Sequence, residues 1–244
     1  MKAALKYQIL EFKKSTVIFY IIVLLVHVFF ASIITVNDTT FRSDGGFEVA
    51  TIIYLFISGL NSFKETFGMF IQNGVSRKTM FLSRTVSFLV ISLIMVFMNF
   101  IFVRVLGLLN SSRFSVTDMY ENIFEKRVDT INGLTRGFES LMLSLGVYLI
   151  AISLGYLITV AYYRMNKAGK LAVSVGVPVS VFVLLPMIDL TLDGRITSFM
   201  AKILTTIIGI RSGYPYYMYI TSIIAFALFI MLSWFLMRKA VDKN

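Results

Sequence analysis

At 244 residues, 57% hydrophobic and 15% charged, with mean hydropathy +0.82, the chain is too apolar for a soluble domain, which would lack the charged surface that keeps it dissolved. The absence of cysteine excludes structural disulfides and thiolate metal sites. The formal charge of +10, which in a soluble chain would point to nucleic acid, is instead parcelled into the segments between apolar runs.

Those runs are six: 16–36, 47–63, 85–104, 138–161, 171–188 and 216–237. A helix rises about 1.5 Å per residue and a hydrocarbon core is about 30 Å thick, so about 20 apolar residues cross it. Backbone in lipid must satisfy its own hydrogen bonds, so the spans are predicted as helices. The expected fold class is an all-α polytopic membrane protein with one six-helix domain over 16–244, preceded by a separate helix over 1–15. The longest polar stretch, 110–137, leaves no room for a nucleotide-binding or catalytic domain.

Within 1–15, Leu5, Ile9 and Phe12 recur at helical spacing while Lys2, Lys6 and Lys13 take another face. This reads as an amphipathic interfacial helix, its lysines drawn to anionic lipid; the plainer alternative is a basic flank that orients the first span. The first span follows lysines but lacks a small-x-small cleavage site, so it is expected to be retained.

After the second span, Phe63, Phe67, Phe70 and Ile71 extend an apolar stripe through the loop 64–84. Asn73-Gly74 supplies a helix stop, and Ser76 an N-cap for a helix entering the third span. The segment 110–137 has mixed charge, with short helical pieces expected around 118–128. A tight turn is expected at 163–170, and Pro178 and Pro186 should kink or shorten the fifth span. The apolar stretch 196–210 is too short to cross, carries Lys202 and is bracketed by Gly194, Gly209 and Gly213. It reads as a re-entrant segment or as a surface helix. Tyr214, Tyr216, Tyr217 and Tyr219 then form an aromatic belt at the last span.

Placing both termini and the loops 64–84 and 163–170 on one side gives that side fourteen basic residues against three acidic; the other holds eight against ten. The positive-inside rule assigns the basic side, with both termini, to the cytoplasm, and frequent Ile, Phe and Lys fit a bacterial membrane protein.

No P-loop, zinc motif or nucleophile–histidine set is present, so the chain is not expected to be an enzyme. Asp193-Gly194-Arg195 lacks the alanine–arginine pair and downstream aspartates of intramembrane phosphatidyltransferases. His27, the single histidine, reads as a neutral side chain bonding across a helix interface, with a place in a substrate path as the alternative. Asn61 and Asn99 read as interhelical contacts, and Arg104 as snorkelling to headgroups. Few ionisable groups fall inside the spans, which argues against ion-coupled transport and for energy supplied by another polypeptide.

The segment 67–84, FGMFIQNGVSRKTMFLSR, resembles the aromatic-rich run ending in G-[VS]-[ST]-R-K-x-x-F of ABC-2 type transporter membrane subunits (type V exporters), on Gly74, Val75, Ser76, Arg77, Lys78 and Phe81. The likeness extends over most of the chain through the basic N-terminal helix, six spans and a short segment between the fifth and sixth. It implies that 64–72 is a coupling helix docking on a separate ATPase and that 1–15 is the connecting helix beside it. Residues implied in coupling are Lys64, Glu65, Phe67, Met69, Phe70, Gln72, Gly74, Arg77 and Lys78, with Phe67 and Phe70 filling the ATPase groove. Those implied along a substrate path are His27, Tyr54, Asn61 and Pro178. The implied partners are two ATPase copies holding ATP and Mg, a second permease subunit (identical or related) and membrane lipid; no cofactor is expected in this chain. The expected function is export of hydrophobic or amphipathic cargo, a peptide in preference to a lipid or drug, with bacteriocin self-protection a related use. A non-transporting membrane scaffold or sensor that recruits a cytoplasmic partner is the competing class.

Overall fold

The computed structural model describes residues 1–37, 41–108, 114–210 and 212–238, and all structural statements refer to these. The chain is helical almost throughout. Helix α1 (Lys2–Asn37) leads through strand β1 (Phe41–Asp44) to α2 (Gly46–Asn61), the short α3 (Lys64–Gln72) and the long α4 (Arg77–Gly107). Strand β2 (Phe114–Thr117) and two short helices, α5 (Met119–Ile123) and α6 (Glu125–Val128), precede α7 (Gly133–Arg164). Helices α8 (Lys167–Val179), α9 (Leu185–Thr191), α10 (Arg195–Ile208) and α11 (Tyr216–Arg238) complete the chain.

Five helical segments are long and apolar enough to cross a membrane: Gly46–Gln72, Arg77–Gly107, Gly133–Arg164, Lys167–Thr191 and Tyr216–Arg238. All but the α2–α3 segment correspond to a single expected span with longer bounds. The expected break at residue 15 is absent: α1 runs without interruption from Lys2 to Asn37. Residues 1–37 contain neither Gly nor Pro, and lysines at 13 and 14 can stay helical with their stems along the surface.

Helix α7 is the hub, packed along α2 on one side and α11 on the other. Glycines make this approach possible. A Cβ on Gly59 would strike the carbonyl of Ile152, one on Gly155 the carbonyl of Phe56, and one on Gly146 the hydroxyl of Ser222. Small residues let apolar helices come close enough for dispersion contact, which drives association where lipid removes the hydrophobic incentive. Helix α1 lies along α4 in the same direction, Gln8 meeting Met80, Glu11 meeting Arg84 and Tyr20 meeting Met95. Both therefore release the chain at one end of the bundle, where β1 and β2 pair in parallel, Phe41 with Phe114 through Asp44 with Thr117. This small sheet was not expected; four-residue strands carry too little periodicity to be read from sequence. The two ends of the bundle are called below the sheet end and the α3 end.

The segment α8–α9 differs from the others in having no buried residue. It was expected to kink or stop at its prolines. The regular α8 ends at Val179, one residue past Pro178, which has no N–H to donate; a π-helical turn at Ser180–Leu184 follows, closed by Leu185 N–H donating to Ser180 O, and Pro186 lies in the first turn of α9. Helix α10 forms between Gly194 and Gly209, both left-handed, so the apolar stretch is a helix of its own. Its end touches α11, where Thr221 Oγ1 donates to Ile207 O at 3.4 Å.

Candidate functional site

The bend between α2 and α4 follows from its local sequence. Ser62 turns the end of α2 by donating its hydroxyl to Gly59 O at 2.8 Å. Phe63, Phe67 and Phe70 then fall on one face of α3 and are 2%, 1% and 5% exposed. Phe63 stacks on Phe67 at 4.8 Å and meets Tyr156 and Tyr163 edge-on at 5.9 and 5.3 Å. Such pairs add to area burial and fix the angle of α3 against α7. The helix closes where Asn73 Nδ2 donates to Met69 O at 2.7 Å and Gly74 adopts φ 69°. Ser76 then caps α4, accepting from Thr79 N–H at 3.2 Å, as its position predicts.

The expected roles divide on this geometry. Phe67 and Phe70, expected to fill a partner's groove, are packed inside the chain, Phe67 against Phe63 and Tyr163 of α7 and Phe70 against Tyr7 of α1. Lys64, Glu65, Gln72, Gly74 and Lys78 are exposed, and Met69 is half-buried. Arg77 is half-buried and donates to Arg238 O at 2.8 Å, which ties the start of α4 to the end of α11.

Behind α3 lies a charged knot that sequence reading did not anticipate. Arg84, expected as a basic flank, is 2% exposed and forms an ion pair with Glu11 of α1 at 3.0 Å. It also donates to Thr66 Oγ1 at 2.9 Å, while the Thr66 hydroxyl donates to Glu11 Oε1 at 3.2 Å. Its guanidinium lies 5.8 Å from the Phe12 ring. Beside it Gln8, also buried, donates to Met80 O at 3.4 Å, and Tyr7 meets Phe70 at 5.8 Å. The first fifteen residues thus rest on α3 and α4, with Lys2, Lys6 and Lys13 outward. An apolar groove of about 540 Å³ continues between α1 and α4, lined by Leu10, Val17, Ile21, Ile94 and Met98 with Lys13 at one end.

The expected path residues do not converge. His27 stacks on Phe47 at 4.0 Å, its Nδ1 2.8 Å from Val23 O and its Nε2 3.4 Å from Ser43 Oγ, an interface role. Tyr54 Oη lies 2.9 Å from both Ser15 Oγ and Thr16 Oγ1, between α1 and α2. Asn61 and Pro178 are exposed in separate places. Mid-bundle, the polar contact is instead built on Asn99. It accepts from Tyr20 Oη at 2.9 Å and donates to Thr51 Oγ1 at 2.7 Å and to Tyr148 Oη at 2.5 Å, joining α1, α2, α4 and α7.

At the sheet end, Glu139 of α7 is buried under four donors. Arg127 reaches it twice, at 2.8 Å from Nε and 2.6 Å from Nη2; Tyr216 donates at 3.3 Å, and Tyr120 makes a short bond. Tyr219 donates to the Glu139 carbonyl at 3.1 Å. The bidentate pair, strengthened by Glu139, raises the Arg127 pKa, and burial, then Glu139, raises that of the Tyr120 phenol. Two tyrosines of the aromatic belt are therefore clamps on α7. Among the described residues no group of three or more His, Asp or Glu could hold a metal ion. Glu48 and Glu139 are each the second residue of an expected span, and nothing near them in sequence marks either as part of a site.

Compared with models of protein families, with curated proteins and with solved structures, the chain matches none.

Proposed function

We propose that this chain is the transmembrane permease subunit of an ATP-driven ABC exporter, embedded in a bacterial cell membrane as six helices with both termini cytoplasmic. The observation that carries the reading is α3. It is a short helix at a membrane-span bend, backed by buried aromatics and by the Glu11–Arg84 knot, with Lys64, Glu65 and Gln72 exposed on it and Lys78 exposed in the first turn of α4. A helix so rigidly seated transmits a push from outside to α1, α2 and α4 together, as ATPase docking requires. The contact surface is thus polar and charged rather than the Phe67–Phe70 face. ATP and Mg belong to two copies of a separate ATPase.

The bare α8–α9 segment supports a second permease subunit, identical or related, since a span with no buried residue leaves its apolar surface uncovered by the chain's other helices. The amphipathic α10 supports a segment in or dipping from the outer leaflet interface. Apolar span surfaces and the groove along α1 support hydrophobic or amphipathic cargo, a peptide before a lipid or drug. The test is purification of the tagged chain from its native membrane followed by native mass spectrometry. The expected product holds two permease copies with two ATPase copies; a chain recovered only alone or with partners lacking a nucleotide-binding fold contradicts the reading.

A further inference from the structure

Glu48, in the first turn of α2, is 3% exposed, and its Oε2 atom has no hydrogen-bond partner. It lines a small cavity with Asn99, Arg104, Asp118, Ser140 and Ser144, four of them buried. The free space, about 10 Å³ for the centre of a water-sized sphere, admits roughly one water molecule or an ion of similar size.

Glu48 has backbone donors in its own N–H and that of Met119, but the side chains of the lining leave Oε2 without one. Asp118 accepts from Glu121 N–H at 2.7 Å through Oδ1 and from the Ser140 hydroxyl at 2.9 Å through Oδ2, so the Ser140 proton is already used. The Asn99 amide is committed to Thr51 and Tyr148. Arg104 is exposed, with its guanidinium 5.2 Å from the Phe100 ring. Two further carboxylates at this end have cationic partners of their own, Glu121 with Arg136 and Glu139 with Arg127. Tyr148 of α7 and Asp118 and Glu121 from the β2–α5 side add only neutral or negative groups toward Glu48. A buried carboxylate next to a second one cannot stay ionised and uncompensated in a low-dielectric site.

We propose that this cavity is a binding site for one monovalent positive charge, a proton carried on Glu48 Oε2 or a sodium-class cation held by Glu48 with the Ser140 and Ser144 oxygens. A water molecule would satisfy the hydrogen bond but leave the charge. A divalent ion takes six or more oxygen ligands, more than the Glu48, Ser140 and Ser144 oxygens supply. The site joins α2, α4 and α7, so its occupancy sets how firmly these helices are held at the sheet end. It does not depend on the exporter reading.

The experiment is thermal unfolding of the purified full chain in sodium chloride against choline chloride at equal ionic strength, at alkaline and mildly acidic pH, for wild type and Glu48→Gln. If sodium is the occupant, wild type gains about 2–4 °C in Tm from sodium at alkaline pH and Glu48→Gln gains none. If a proton is, sodium has no effect, wild type gains a similar amount on acidification, and Glu48→Gln flattens that gain. Identical sodium and pH responses in both proteins overturn the proposal. Should Glu48→Gln fail to fold, sodium-23 relaxation and infrared detection of a protonated carboxyl on wild type decide. Detection of either supports the site, and absence of both overturns it.

Discussion

Glu11 and Arg84, separated by 73 positions in the chain, meet at 3.0 Å, with the Arg84 side chain 2% and the Glu11 side chain 30% exposed. The two ends of this pair are therefore not equivalent. Without Glu11, Arg84 is left as an unpaired buried charge; without Arg84, Glu11 can still reach water. Glu11→Ala is expected to cost about 3–5 kcal/mol and Arg84→Met less than half of that. Denaturant unfolding in mild detergent measures both, and equal costs would show that the burial asymmetry does not matter.

Glycine substitutions separate helix contact from helix propensity. Gly59→Ala and Gly155→Ala place a methyl group against a facing backbone carbonyl that cannot rotate away, and each should destabilise by about 1–3 kcal/mol. Gly68, in the middle of α3, has nothing within 4 Å of an added Cβ. Gly68→Ala should stabilise by about 0.5–1 kcal/mol through helix propensity. Tm values of the three variants give the comparison, and a shared sign would contradict the packing described.

At the bend, docking and folding can be told apart. Phe67→Asp puts a carboxylate into the aromatic plug and should cost at least about 3–5 kcal/mol, so lost partner binding in that variant would say nothing about docking. Lys64→Glu on the exposed side should change stability by less than about 0.5 kcal/mol while weakening co-purification of the ATPase. Unchanged co-purification would remove Lys64 from the contact.

Alkaline pH probes the clamp on Glu139. The Tyr120 phenol has its pKa raised by burial and by the Glu139 carboxylate, so the folded state holds this proton more tightly than the unfolded chain does. The stability it contributes is complete below the unfolded value of about 10 and is lost as pH rises beyond it. Tyr120→Phe should therefore be less stable at neutral pH but lose less on going to high pH. A wild-type and variant difference that is constant with pH would contradict this.

What sequence could reveal here was what rests on neighbouring residues. The helical stripe of Phe63, Phe67 and Phe70, the Asn73-Gly74 stop and the Ser76 cap depend on spacings of three or four, and all appear as expected. So do the short helices after Asp118 and the turn capped by Asn166. The charged knot was invisible because Arg84, Glu11 and Thr66 come together only when α1, α3 and α4 pack. Reading Phe67 and Phe70 as outward failed for the same reason: an apolar stripe on a short helix does not say whether its cover is another chain or its own. Glu48 and Glu139 stand near helix starts in the sequence, and their burial arises only when Asp118, α4 and α7 enclose Glu48 and Tyr120, Arg127 and Tyr216 close over Glu139.

The proposed function requires the exposed side of α3 to face the cytoplasm, where an ATPase can grip it. Because the chain has no cysteine, Gln72→Cys provides a single exposed thiol at that surface. Membrane-impermeant maleimide should leave this thiol unmodified in intact cells and modify it in inverted membrane vesicles. Modification in intact cells would place α3 outside and contradict the claim.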